Sequence, residues 1–153
     1  MSHSERMAEL CEGIAEVLEE KGHTTKAMVN GLGNVCLLGA GRLAQGSNLV
    51  SLPQQYDNRT RSADLNTAEA LGFSEPQKVA EHNDGYIAKT RKTMAIPIPF
   101  KAVWLENDSA VLFTAEEMGF RFEEVIEETV YPPIDKQQAI DLAMDRAKYW
   151  RNQ

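Results

Sequence analysis

The run Val35-Cys36-Leu37-Leu38-Gly39-Ala40-Gly41-Arg42-Leu43-Ala44 decides the fold of this 153-residue chain. It is too apolar for a surface and far shorter than the ~20 residues that cross a bilayer, so it reads as a buried helix. Asn34 is placed to cap its start and Gly46 to end it. Gly39 and Gly41 each cost about 1 kcal/mol relative to alanine in a helix interior. A helix that accepts this cost needs a neighbour at very close range, which predicts a central position packed against the chain's first helix.

That first helix runs from about Ser4 to Lys21. Met7, Leu10, Cys11, Ile14, Val17 and Leu18 recur at steps of three and four and form one apolar stripe. Ser2 with Glu5, or Ser4 alone, can cap it, and Gly22 is a stop. Glu9, Glu12, Glu16, Glu19 and Glu20 fall off the stripe and read as a solvated face. Beyond the central helix, the composition from Ser47 to Ala63 turns polar and aperiodic, which predicts a long mobile loop at 47–63. Short helices are expected at Leu65–Leu71 and Glu75–Glu81, the second capped by Ser74 with Pro76 in its first turn.

After Gly85 the pattern changes. Ala102-Val103-Trp104-Leu105 and Ala110-Val111-Leu112-Phe113 flank Glu106-Asn107-Asp108-Ser109, which predicts a β-hairpin near residues 102–113. Ile96-Pro97-Ile98-Pro99-Phe100 can only lead into it as an edge. Helices are expected again at Ala115–Thr129 and, opened by Asp135, at Lys136–Trp150. Trp104, Phe113, Phe120, Phe122 and Trp150 are core candidates first and interface anchors second. The expected architecture is α+β and mainly α: a small helical domain, 1–153, of four to six helices around Cys36–Leu43 with one short β-hairpin.

Charge narrows the function. Between Val103 and Asp135 stand nine acidic residues and one base, Arg121, and this stretch accounts for the formal net charge of −7. Such a field steers basic partners and repels nucleic acid and anionic membrane. The one basic cluster, Lys89-Thr90-Arg91-Lys92 with Lys101, is too short for a phosphate track, so direct nucleic-acid binding is not expected. Two cysteines make no secreted disulfide framework and no signal segment is evident, so the reading is cytoplasmic.

Motifs with chemistry are incomplete. Cys36 near a helix start, with His82 and Asn83 or Asp84, could form a Cys–His hydrolase, since a helix N-terminus lowers a thiol pKa and an imidazole can take its proton. Against this, Cys36 lies in an apolar run and His82-Asn83-Asp84-Gly85 reads as a helix end and turn. Gly31-Leu32-Gly33 lacks the rest of any nucleotide loop. No Cys or His pair has zinc-ligand spacing, so neither metal nor cofactor is expected. Glu116, Glu123 and Glu127, and likewise Glu117, Glu124 and Glu128, would share helix faces; a solvated acidic face explains them better than a cation site.

Cys36-Leu37-Leu38-Gly39-Ala40, Leu71-Gly72-Phe73 leading to His82-Asn83-Asp84, and Glu123-Glu124-Val125-Ile126 resemble the motifs of an uncharacterised family of small bacterial and phage domains. The resemblance touches about two thirds of the chain, makes the region 86–118 with its expected hairpin look inserted, favours a phage or accessory-gene origin and hence the host cytoplasm, and implies no established activity. His82 stands where that family tends to have tryptophan, which implies a packing position rather than a base. The sequence therefore favours a non-enzymatic acidic module that docks on a basic protein surface. A phage or accessory inhibitor occupying a nucleic-acid-binding groove is one version. Asp108, Glu116, Glu117, Glu123, Glu124, Glu127 and Glu128 would be its partner-binding residues. The alternatives are the Cys36–His82 hydrolase and a self-assembling homo-oligomer in which Lys89–Lys101 of one copy meets the acidic segment of another.

Overall fold

The computed structural model describes residues 1–47, 49, 56–97 and 119–153. These form five helices, α1 (His3–Lys21), α2 (Leu37–Ala44), α3 (Asn58–Leu71), α4 (Pro76–Asp84) and α5 (Lys136–Arg151), and two strands, β1 (Tyr86–Pro97) and β2 (Phe120–Tyr131), paired as one hairpin. The fold class is the expected one, α+β and mainly α. The chain divides into a helical unit, Met1–Tyr86 with Tyr131–Gln153, and a hairpin unit, Ile87–Val130.

In the helical unit the apolar stripe of α1 meets α2 and α5. Ile14 and Leu18 of α1, Leu37 and Ala40 of α2, and Ala139 and Ala143 of α5 are all fully or almost fully buried in one cluster. Ser2 and Glu5 close a capping box at the start of α1, and Asp135 and Gln138 close another at the start of α5. The small side chains of α5 that face the core let its backbone lie close to α1. Arg151 reaches Glu12 at 2.7 Å on the exposed rim.

The two glycines of α2 do what their cost implies. A Cβ on Gly39 would stand 2.7 Å from the Met28 carbonyl oxygen, and one on Gly41 would fall inside the Thr67 side chain. The second contact sets the approach of α2 to α3. Thr67 is fully buried, donating from its hydroxyl to the Ala63 carbonyl and accepting from Gln45 Nε2.

Several expectations are corrected. The cap of α2 is Cys36, not Asn34, because Val35 is drawn into backbone bridges with His23 and Val29. The expected loop at 47–63 gives way at Asp57, whose carboxylate accepts from the Thr60 amide and starts α3 seven residues early. Helix α4 starts from Glu75 with no side-chain cap, so Ser74 does not serve. The largest correction concerns Ala115–Thr129. From Phe120 onward that segment is strand, not helix. Phe120, Phe122, Val125, Ile126, Thr129, Val130 and Tyr131 are β-branched or aromatic, and their fit to a pleated surface outweighs the helix propensity of the four glutamates between them. Likewise β1 occupies Tyr86–Pro97, so the hairpin arms lie outside the expected 102–113. Residues 102–113 themselves, with Trp104 and Phe113, lie outside the described residues.

Candidate functional site

The sequence-nominated catalytic residues are used for structure. Cys36 is 8% exposed; its sulfur accepts the Gly39 amide at 3.3 Å, and its thiol donates to the Met28 sulfur at 3.7 Å. Burial pushes its pKa up, outweighing the helix-start amides that lower it. His82 is exposed and packs its ring on Phe73 at 5.3 Å between centroids. The imidazole that joins a polar network is instead that of His23, which sequence reasoning missed.

That network centres on Asn83, which is fully buried. Its Oδ1 accepts from His23 Nε2 at 2.7 Å and from the Leu37 amide at 3.1 Å, so it also caps α2. Its Nδ2 donates to the Thr24 carbonyl at 3.1 Å and to Asp84 Oδ1 at 2.8 Å. Asp84 Oδ1 in turn accepts from the amide of Lys26, whose φ of 62° lies in the left-handed region. Asn83 and Asp84 therefore tie the turn-rich segment after α1 and the start of α2 to the end of α4. The signal for this in the sequence is the Asn-Asp pair after a helix, read as a stop, which it also is.

A second buried polar group was not singled out from sequence. Arg42 of α2 forms a bidentate pair with Asp64 of α3, two contacts of 2.8 Å, with both side chains almost fully buried. That hydrogen bonding raises the Arg42 pKa against the effect of burial. Tyr56 lends its hydroxyl to Asp64 at 3.3 Å and its ring to the guanidinium at 5.6 Å. A shallow pocket of about 510 Å³ lies near the start of α1, lined in part by His3, Arg6, Glu9, Gln45 and Asn66. Its polar groups are largely engaged, His3 with Glu69 at 2.6 Å and Asn66 with Gln45 at 3.1 Å. Among the described residues no three His, Cys, Asp or Glu side chains converge as a metal site, and no helix is long and apolar enough to cross a membrane.

The hairpin is different in kind. Tyr86 and Tyr131 stack across the strands at 4.7 Å, and Lys89 meets Glu128 at 3.6 Å, so residue numbers fall along β2 as they rise along β1 and the pairing is antiparallel. Alternation puts Ile87, Lys89, Arg91, Thr93 and Ala95 of β1 on one face with Phe122, Glu124, Ile126, Glu128 and Val130 of β2. That face carries Ile87 at 55% exposure, Phe122 at 62%, Ile126 at 55% and Val130 at 66%. Phe120 and Phe122 are thus exposed, not core. A lone two-stranded sheet is marginal in water without cover for its apolar side chains.

Four of the glutamates expected to form an acidic docking face, Glu123, Glu124, Glu127 and Glu128, are on this hairpin, and each of these has a cation of the same hairpin beside it. Glu128 pairs with Lys89, Glu124 with Arg91 at 3.6 Å, Glu127 with Lys92 at 2.8 Å and Glu123 with Arg121 at 2.9 Å. Asp108, Glu116 and Glu117 lie outside the described residues. The spacing that matches Lys89, Arg91 and Lys92 to these glutamates is present in the sequence, but a helical reading of residues 115–129 conceals it.

A model of a family of unknown function, DUF6197, matches residues 2–89, more than half of the chain, and the protein belongs to that family. The match takes in Cys36–Ala40 and Leu71–Asp84 and ends before Glu123–Ile126. No curated protein and no solved structure matches the chain.

Proposed function

We propose that this protein is a non-enzymatic binding module that engages another polypeptide through its hairpin, with the helical unit as the scaffold. The observation that carries this reading is the exposure of Ile87, Phe122, Ile126 and Val130 on one face of a two-stranded sheet. Apolar side chains grouped this way mark contact surfaces in soluble proteins. The residues that could have carried chemistry in the helical unit, Cys36, Asn83 and Asp84, are committed to capping and turn-locking bonds.

The role of the acidic residues changes accordingly. Glu123, Glu124, Glu127 and Glu128 are balanced within the described hairpin by Lys89, Arg91, Lys92 and Arg121. They act as register markers between apolar rungs rather than as an uncompensated field. Docking on a basic protein surface, as an accessory or phage-type inhibitor in a reducing cytoplasm would do, then draws on the apolar rungs for affinity and on the glutamates for orientation.

Chemical cross-linking in extract of the native host, comparing the wild type with Phe122→Glu/Ile126→Glu, tests the reading. The variant is expected to lose at least nine tenths of the cross-linked product while keeping the far-ultraviolet circular dichroism of the helices. A variant that cross-links as the wild type does would remove the hairpin face from any binding role.

A further inference from the structure

We infer that the exposed hairpin face is self-complementary and seats a second copy of this chain, the two hairpins stacking face to face about a two-fold axis parallel to the strands. The inference rests on the hairpin's being a binding surface and names the partner it fits. Charge in the described hairpin is divided by strand. Lys89, Arg91 and Lys92 are the charged residues of β1, and β2 carries Glu123, Glu124, Glu127 and Glu128 with Arg121. On the apolar face the division is complete: Lys89 and Arg91 on β1, Glu124 and Glu128 on β2.

Two ways of pairing two copies over this face differ in what meets. A two-fold axis parallel to the strands lays β1 over the partner's β2, with the same ends together. Each β1 residue then sits over the counterpart of the residue beside it in its own sheet. Ile87 meets the partner's Val130, Ala95 meets the partner's Phe122, Lys89 meets the partner's Glu128, and Arg91 lies within reach of the partner's Glu124. At the levels of Ile87, Lys89 and Ala95 apolar falls on apolar and cation on anion, while Arg91 sits over the partner's Ile126 and Thr93 over the partner's Glu124. An axis across the strands lays β1 over the partner's β1 and centres Arg91 over the partner's Arg91, which sets like charges together. Edge-to-edge joining of two β1 strands, or of two β2 strands, sets Lys89, Arg91 and Lys92, or the four glutamates, against their own copies, with the same penalty. Charge and apolarity together therefore select the first arrangement, a closed two-fold contact of the kind that dominates homo-oligomers. Because among the described residues each strand of the hairpin is also an edge, the long Lys, Arg and Glu side chains can reach water past the rim while their stems cover the apolar rungs.

The test uses the whole chain and a charge-exchanged version, Lys89→Glu/Arg91→Glu/Glu124→Lys/Glu128→Lys, which keeps every ion pair within its own hairpin and so keeps the hairpin's fold. Wild type and exchanged chain should each sediment as dimers at concentrations up to about 100 μM, the range in which small interfaces assemble. When the two are mixed with different fluorophores, energy transfer between unlike chains should be at least tenfold weaker than between like chains, because every cross-copy pair becomes like-charged. Phe122→Asp should yield monomer. Free mixing of the two versions would overturn the proposed register. Monomer for both at every concentration would overturn self-association. In that case, if Phe122→Glu/Ile126→Glu still loses its cross-links in host extract, the hairpin binds a different protein and the reading of it as a docking element stands. If the monomer also keeps its face inaccessible to cross-linker, the face is covered within the chain itself and both readings fail.

Discussion

Replacing Gly41 with alanine tests the packing on which the helical unit is built. On an isolated helix the change is favourable by about 1 kcal/mol, since alanine has the higher helix propensity. Here the added methyl falls inside the side chain of Thr67, which is fully buried and held by Ala63 and Gln45. Overpacking of a rigid core costs about 1–3 kcal/mol, and a methyl that overlaps a pinned, branched side chain belongs at or above the top of that range. The net expectation is a loss of about 2 kcal/mol. For a chain of this size that lowers the melting temperature by roughly 4–8 °C, at about 2–4 °C per kcal/mol. Differential scanning calorimetry measures it directly. Gly31→Ala is the internal control, because nothing stands within 4 Å of a Cβ there, and it should stay within about 0.5 kcal/mol of the wild type. Adding Thr67→Ala to Gly41→Ala should recover about 1 kcal/mol through relief of the overlap. A Gly41→Ala protein that melts at or above the wild-type temperature would refute the close approach of α2 and α3.

Three further outcomes follow from the same structure. Asn83→Ala leaves the Leu37 amide and the Thr24 carbonyl without their partner and frees His23, so urea unfolding should show a loss of about 3 kcal/mol, whereas His82→Ala should cost under about 1 kcal/mol. Asp64→Ala strands a buried guanidinium and should cost about 3–5 kcal/mol, while Arg42→Met/Asp64→Leu should recover most of it, as read by the midpoint of the same titration. Burial pushes the Cys11 thiol up to about 12 from its usual 9.0, and its hydrogen is donated to the Ala70 carbonyl. A raised folded-state pKa means that the folded chain holds a proton the unfolded chain releases, so stability is intact below pH 9 and falls by about 1.4 kcal/mol per unit as pH rises from 9 towards 12. Cys11→Ala should flatten that alkaline limb in urea titrations, and a limb of unchanged slope would contradict the assignment.

Much of the helical unit is legible in the sequence because one physical rule suffices there. The stripe of α1, the glycines of α2 and the Asp135 start of α5 all follow from helical period, capping and close approach, and all three stand in the structure. The start of α3 is not legible, since Asn58-Arg59-Thr60-Arg61 carries no apolar period. Its helix is specified by the Asp57 cap and by Asp64, whose partner Arg42 is distant in sequence. The identity of β2 is hidden for a related reason. Four glutamates among Phe, Val, Ile and Thr satisfy a helical pattern locally, and only the basic run of β1, some 35 residues earlier, shows that they belong to cross-strand rungs.

The candidate site is where local reading and tertiary structure part most. Histidine, cysteine, asparagine and aspartate near one another suggest a catalytic set, but such a set needs polar atoms left over for a substrate. In this protein Asn83 has all its hydrogen-bonding capacity in use within the fold, Asp84 holds a left-handed backbone residue in place, and Cys36 caps a helix. Among the described residues, what the fold leaves unspent is apolar surface on the hairpin, charges paired only across exposed rungs, and the buried Nη1 of Arg42, which has no hydrogen-bond partner. Exposed ion pairs of that kind contribute little to stability, with a median near 0–1 kcal/mol, so their ordered placement by strand is not accounted for by what they do for the isolated hairpin. On the contact surface proposed above, the same charges would fix which chain docks and in which orientation.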